Sequence, residues 1–254
     1  MPSIKLWRIS AGTSPAEGRF PISNHNARIT LQSIALAIGA CGIAYAAYTT
    51  AAWYRFGHVY PQGRTDAIAD RFMPAYDVRE EHHVRVNAPA LLTMQSARSM
   101  SLNDSALVRA IFKGRELLLR AAPDTASQPH AFVALAQSLG WRILEEAPGR
   151  EMVFGAVTQP WKPNVVFRGV LPSRFAAFNE PDYVKILWTL RADPIDESHC
   201  TFSTETRAVS TDRGSREKFR RYWTTFSPGI VLIRVATLPL VKRDAERRAA
   251  MRLR

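Results

Sequence analysis

Glu205 and Arg207 stand two apart in the alternating run HCTFSTETRAV, so on an extended chain both side chains leave the same face. Opposite charges placed this way hold one another as a surface ion pair, or orient a polar group on a bound molecule. Tyr222, in the helical segment that follows, adds a hydroxyl to the same polar inventory. The other reactive types are arranged less favourably. His82-His83, Glu80-Glu81 and Glu145-Glu146 are neighbours in strand-like runs, so their side chains splay to opposite faces. They neither chelate one ion nor work as an acid and base pair, and His199-Cys200 fares no better. G-x-S-x-G, G-x-G-x-x-G, P-loop and H-E-x-x-H patterns are absent. The sequence therefore assigns no catalytic residue, no metal ligand and no cofactor, and it points away from an enzyme without excluding one.

These residues are positioned by a C-terminal unit of two strands and a helix. YVKILWTLRAD and HCTFSTETRAV alternate as strands, and a helix follows in which Phe219, Tyr222, Trp223, Phe226, Ile230 and Ile233 recur at three- and four-residue steps. Arg216, Glu217, Arg220 and Arg221 fill the rest of its circumference. Asp212 is the expected cap, and Pro228 predicts a kink or a restart with Ser227 as a new cap. Upstream, REEHHVRVNAPA reads as a first strand, followed by helices over Ala90 to Met100, Asp104 to Arg120 and Pro129 to Leu139. A hairpin, WRILEE-APGR-EMVFGAV, turns at Pro148-Gly149. Strand, helices, then antiparallel strands and a closing helix is an α+β order.

A chain of 254 residues, 46% of them hydrophobic, builds one sizeable core and carries an appendage. Its net charge of +12 favours anionic partners and leaves the fold undetermined. Cys41 and Cys200 are too few for a disulfide framework. Ile29 to Tyr54 carries no charge and lies between Arg28 and Arg55, long enough for the about 20 residues that span a bilayer. Tyr45, Tyr48, Trp53 and Tyr54 gather at one end, as interfacial aromatics do. A cleaved signal, with Ala44-Tyr45-Ala46 as its site, and a buried helix are the alternatives. Basic residues on the two flanks are nearly balanced, so the side of the membrane on which the domain lies stays open. The expected organisation is a disordered leader over 1–28, a single membrane helix over 29–54, a linker over 55–76 and a folded domain over 77–250.

MPAYDVREEHHVRVNAPA at the start of that domain, FAAFNEPDYVKILWTLRADP and CTFSTETRAVS as late strands, and REKFRRYWTTFSPGIVLIR as the closing helix resemble the SRPBCC or START/Bet v 1-like superfamily, to which polyketide cyclase-like proteins belong. The resemblance implies a helix-grip fold, in which a curved antiparallel sheet encloses a cavity against the long terminal helix. It also implies a sterol, lipid, polyketide, quinone or other hydrophobic ligand, with cyclases as an enzymatic branch. Alternation puts Val184, Ile186, Trp188 and Leu190 on one face, Phe202, Thr204 and Thr206 on another, and Met152 with Phe154 on a third. Facing the helix, Met152, Phe154, Trp188, Phe202 and Thr204 would meet Tyr222, Phe226 and Ile230 as the ligand-binding set, or simply as a filled core. Three functions follow: a membrane-anchored domain that binds or transfers a hydrophobic molecule, an interaction domain with a filled core and a basic docking surface, or a cyclase- or hydrolase-like enzyme. KFRRYW interleaves basic and aromatic residues as single-strand binders do, but a helix segregates them, so no nucleic acid is expected. Lys242, Arg243, Arg247, Arg248, Arg252 and Arg254 instead suit anionic lipid headgroups.

Overall fold

Period-two apolar spacing in the late segments dictates strands, and the computed structural model forms them. It describes residues 24–58, 66–101 and 131–252, with side chains from residue 32 onward. The leader and the helix expected over Asp104 to Arg120 lie outside the described residues. The chain divides into two compact units, 1–46 and 47–254. Helix α1 (Asn24–Arg55) contributes its last turns to the second unit.

Of the first unit, the apolar side chains of α1 are exposed, among them Leu36, Ile38 and Ile43. From Gln32 to Arg55 the helix is long and apolar enough to cross a membrane, and so by composition is the closing helix.

In the second unit, α2 (Ala67–Phe72), β1 (Val78–Val86), α3 (Ala90–Ser99) and α4 (Phe132–Ser138) precede the hairpin β2 (Arg142–Ala147) and β3 (Glu151–Thr158). After these come β4 (Phe167–Arg168), α5 (Pro172–Phe175), β5 (Val184–Pro194), β6 (Cys200–Ser210) and α6 (Arg213–Arg252). The sheet is antiparallel in the order β1-β6-β5-β3-β2, with β4 paired to β3. The hairpin turns at Gly149, whose φ of 72° is the left-handed conformation that glycine adopts without a Cβ penalty. Register carries each face across the strands: Phe154 lies beside Trp188, Trp188 beside Thr206, and Thr206 beside Glu80. The neighbouring row is Met152, Leu190, Thr204 and His82. Closed on one face by a long C-terminal helix, this α+β architecture is the expected helix-grip arrangement.

Asp212 starts α6 as expected. Its Oδ1 accepts from the Ser215 amide at 2.9 Å, while its own amide donates to Ser215 Oγ at 3.1 Å. Backbone amides of Asp182 and Ser215 hold this carboxyl down to about 2. The restart expected at Ser227 does not occur. The helix runs through Pro228 and Pro239, and Ser227 is fully buried rather than free to cap. Proline removes one amide hydrogen bond, and continuous packing of both halves on the sheet and α3 holds the helix together across that loss. Near its start, α6 grips the end of α1. Arg220 Nη2 donates to Trp53 O at 2.8 Å, its guanidinium lies 3.9 Å from the Trp53 ring centre, and Phe219 meets Phe56 edge-on at 5.6 Å.

The sheet face opposite α6 is covered by α2, which lies within the stretch read as a linker. Asp66 caps α2 by accepting from Ile68 and Ala69 amides at 3.0 and 2.9 Å, and Ala69 and Met73 bury against Val153, Leu187 and Phe175. Here Glu205 and Arg207 are buried, which corrects the expectation of a surface pair. Arg207 donates to Glu205, to Asp70 and to Met73 O, and Arg79 donates twice to Glu205 at 2.7 and 3.1 Å.

At the far end of this face, burial pushes Glu151 up to about 8, helped by a hydrogen bond with Asp66 and opposed by Arg191. A carboxyl raised in this way keeps its proton in the folded state while the unfolded chain, with an ordinary value of 4.5, gives it up. Its stabilising contribution is complete below about 4.5 and is lost as pH rises through about 8. The expected result is a melting temperature for the wild type that falls between about pH 5 and about pH 9, and a flatter profile for Glu151→Gln. Parallel profiles from thermal melts would show that Glu151 is not the proton carrier.

Candidate functional site

Each inner row of the sheet meets α6, and the residues sort by position along that helix. Toward its C-terminal half, Met152, Phe154, Trp188, Leu190, Ala192 and Phe202 pack with Leu238, Val241 and Ala245. Trp188 is the centre of this cluster, stacked on Phe154 at 4.8 Å and met edge-on by Phe132 at 4.7 Å. Toward the N-terminal half, Phe219 and Trp223 pack with Val78, Val184 and Ala208, joined by Tyr222, Ile186 and Ile230. Phe226 lies against Tyr222 at 5.0 Å.

The structure thus brings Met152, Phe154, Trp188, Phe202 and Thr204 onto one surface beneath α6. It places Tyr222 and Ile230 in the second cluster, with Phe226 on their side, because one continuous helix spreads its apolar positions along the sheet. Glu205 and Arg207 lie on the opposite face from Tyr222, so that polar set is not assembled.

Between the two clusters lies a polar belt. β1 contributes Glu80 and His82, β6 contributes Thr204 and Thr206, and α6 contributes Arg234. Thr204 Oγ1 accepts from Trp188 Nε1 at 2.7 Å and from Arg234 Nη1 at 3.3 Å, with the guanidinium 5.7 Å from the Trp188 ring centre. The belt is incompletely paired. Among the described residues, Arg234 Nε, His82 Nε2, Thr206 Oγ1 and Ser227 Oγ are buried and have no hydrogen-bond partner. Glu80 Oε2 approaches His82 Nε2 only to 4.0 Å.

Burial governs the electrostatics of this belt. Desolvation lowers Arg234 to about 10, with Glu80 offsetting part of the effect. Burial raises Glu80, opposed by Arg234 and Arg55. Burial lowers His82, with Arg234 and His83 adding to the effect. The result is a partly buried guanidinium beside a carboxyl that resists ionisation and a histidine that resists protonation.

Sequence reasoning passed over Arg234, Glu80, His82 and Thr206 as site residues. One signal was available for Arg234: it is the sole charge between Arg221 and Lys242. A charge kept inside an apolar helical stretch indicates a polar partner on the packed face.

A groove of about 450 Å³ lies farther along α6, lined by Ser99, Met100, Leu240, Arg243, Arg247 and Arg248. Of the basic tail, Lys242 pairs with Glu246, and Arg247 and Arg248 pair with Asp244. Less of that charge is uncompensated than the sequence count implied. Both cysteines are free, and Cys200 is buried with its thiol donating to Thr93 Oγ1 at 3.2 Å. Among the described residues no group of three His, Cys, Asp or Glu side chains is placed to hold a metal ion.

No family model matches the chain, and no curated protein matches it. Solved structures align to part of it. A solution structure of a Thermobifida fusca protein is 15% identical, spanning 65% of this chain and 92% of its own, with a TM-score of 0.30. The di-domain aromatase/cyclase BexL from the BE-7585A biosynthetic pathway is 17% identical over 66% of this chain and 46% of its own, with a TM-score of 0.28. The ZhuI aromatase/cyclase from Streptomyces sp. R1128 is 18% identical over 67% of this chain and 94% of its own, with a TM-score of 0.23.

Proposed function

We propose that this chain is a membrane-anchored domain that binds a hydrophobic small molecule or lipid between its sheet and α6. The observation that carries the reading is the unfinished polar belt between two apolar clusters. Each buried donor or acceptor left unpaired costs about 1–3 kcal/mol, and a bound molecule with an apolar body and a polar end removes that cost. The apolar exposed helix α1 supplies the anchor, and the clamp of Arg220 on Trp53 ties the anchor's end to the helix that closes the site. The remaining basic groups of the α6 tail support contact with anionic headgroups, each contributing about 1 kcal/mol near the surface.

Native mass spectrometry of the full chain purified in mild detergent tests this. The expected spectrum contains a protein peak carrying one co-purifying apolar molecule, released by organic extraction. Repeated spectra of bare protein, before and after incubation with lipid extract, would overturn the binding function.

A further inference from the structure

The cluster that points furthest is the belt around Arg234, and the question it raises is what kind of polar end the ligand carries. We infer that the ligand is an apolar monoanion whose single acidic group, of carboxylate size, is received by Arg234 and Thr206 in the interface of α6 with β1 and β6. This rests on the binding function proposed above and narrows it to a ligand class.

The hydrogen-bond inventory gives the first argument. Arg234 Nε is a donor with no acceptor role and no partner among the described residues, and one N–H of Nη1 goes to Thr204 at a long 3.3 Å. Thr206 Oγ1, next to Thr204 along β6 on the same face, is also without a partner, and the Thr206 side chain is 4% exposed. Ser227, two helical turns before Arg234 on the same side of α6, is fully buried with its hydroxyl unpaired. A guanidinium edge and hydroxyls facing one interface call for a group that is mainly an acceptor. A carboxylate has two oxygens to offer and takes no donor in return.

Charge gives the second argument and sets the limit. Trp188 lies against the guanidinium, and the flanking clusters are apolar, so Arg234 is partly shielded from water and an opposite charge is worth more there than in bulk solvent. Glu80 and His82 face the same belt from β1. Glu80 offsets part of the burial effect on Arg234, yet among the described residues its ion-pair contact is to His82 at 4.0 Å and not to Arg234. Among the described residues Arg234 is the one guanidinium of the belt with a buried N–H left unpaired, and that donor answers a single negative charge. An alcohol or ketone would satisfy one donor and leave the charge unanswered.

The test is a competition on the full chain in detergent, with oleate and oleyl alcohol added in equal amounts and bound species counted by native mass spectrometry. The two share a tail and differ in the head. Wild type is expected to retain oleate over the alcohol by about tenfold or more, the weight of one buried charge-assisted hydrogen bond. Arg234→Gln is expected to bind both equally, and Arg234→Lys to recover part of the preference. If wild type binds both without preference, the assignment of an acidic head is wrong while the binding function stands. If it binds neither, the binding function itself fails. A preference that survives Arg234→Gln in folded protein would place the acid elsewhere and overturn the role given to Arg234.

Discussion

Replacing Arg207 by Met lowers stability by about 3–5 kcal/mol, the cost of breaking a buried ion pair from one side, and drops the melting temperature by about 10 °C or more. Arg207 is 2% exposed and carries α2 on the sheet through Asp70 and Met73 O, with its guanidinium 5.0 Å from the Tyr76 ring centre. Its removal leaves Glu205, itself 4% exposed, paired with Arg79 alone. The loss therefore comes mainly from the hydrogen bonds to Asp70 and Met73 O, and Glu205→Gln added to Arg207→Met is expected to give back little of it, since it deprives Arg79 of its partner. A shift under about 1 kcal/mol, read from chemical denaturation, would mean that the pair is solvated as an ordinary surface pair and that α2 does not seal this face.

Phe154→Ala is the second large effect, at about 3–5 kcal/mol. Phe154 has no exposed surface, and its ring supports Trp188, which in turn orients Thr204 for Arg234. Loss of the stack also frees Trp188, so its emission should broaden and shift to the red. Val166→Ala, at a side chain 73% exposed, serves as the control and stays within about 0.5 kcal/mol. A Phe154→Ala cost near that of the control would show that the surface beneath α6 is loosely filled and that Trp188 has another support.

These two positions also mark what the sequence made legible. Phe154, Trp188 and Phe202 follow the two-residue alternation of strands that have one apolar face, and they lie where that period puts them. Glu205 and Arg207 follow the same period, but period alone assigns a face and not a cover. Their burial depends on α2, a six-residue helix in a stretch whose prolines and glycine mark it as connecting chain. A short helix of that kind draws its stability from its cap, here Asp66, and from tertiary contacts such as Arg207, rather than from its own propensity. The polar belt was hidden for a related reason. Glu80, His82, Thr204 and Thr206 come from two strands distant in sequence and meet only through the β1 to β6 register. Arg234 alone was visible as a lone charge in an apolar run. The restart drawn at Ser227 from Pro228 did not follow, because the sheet and α3 hold α6 on both sides of the proline.

If a bound molecule completes the polar belt beneath α6, a density map of the full chain, purified in mild detergent without delipidation, will show it. Elongated non-protein density is expected between α6 and the inner face of β1 and β6, with one end in hydrogen-bond reach of Arg234 Nε and Thr206 Oγ1. Side chains closed over that space, or isolated waters on those two atoms and nothing longer, would contradict it.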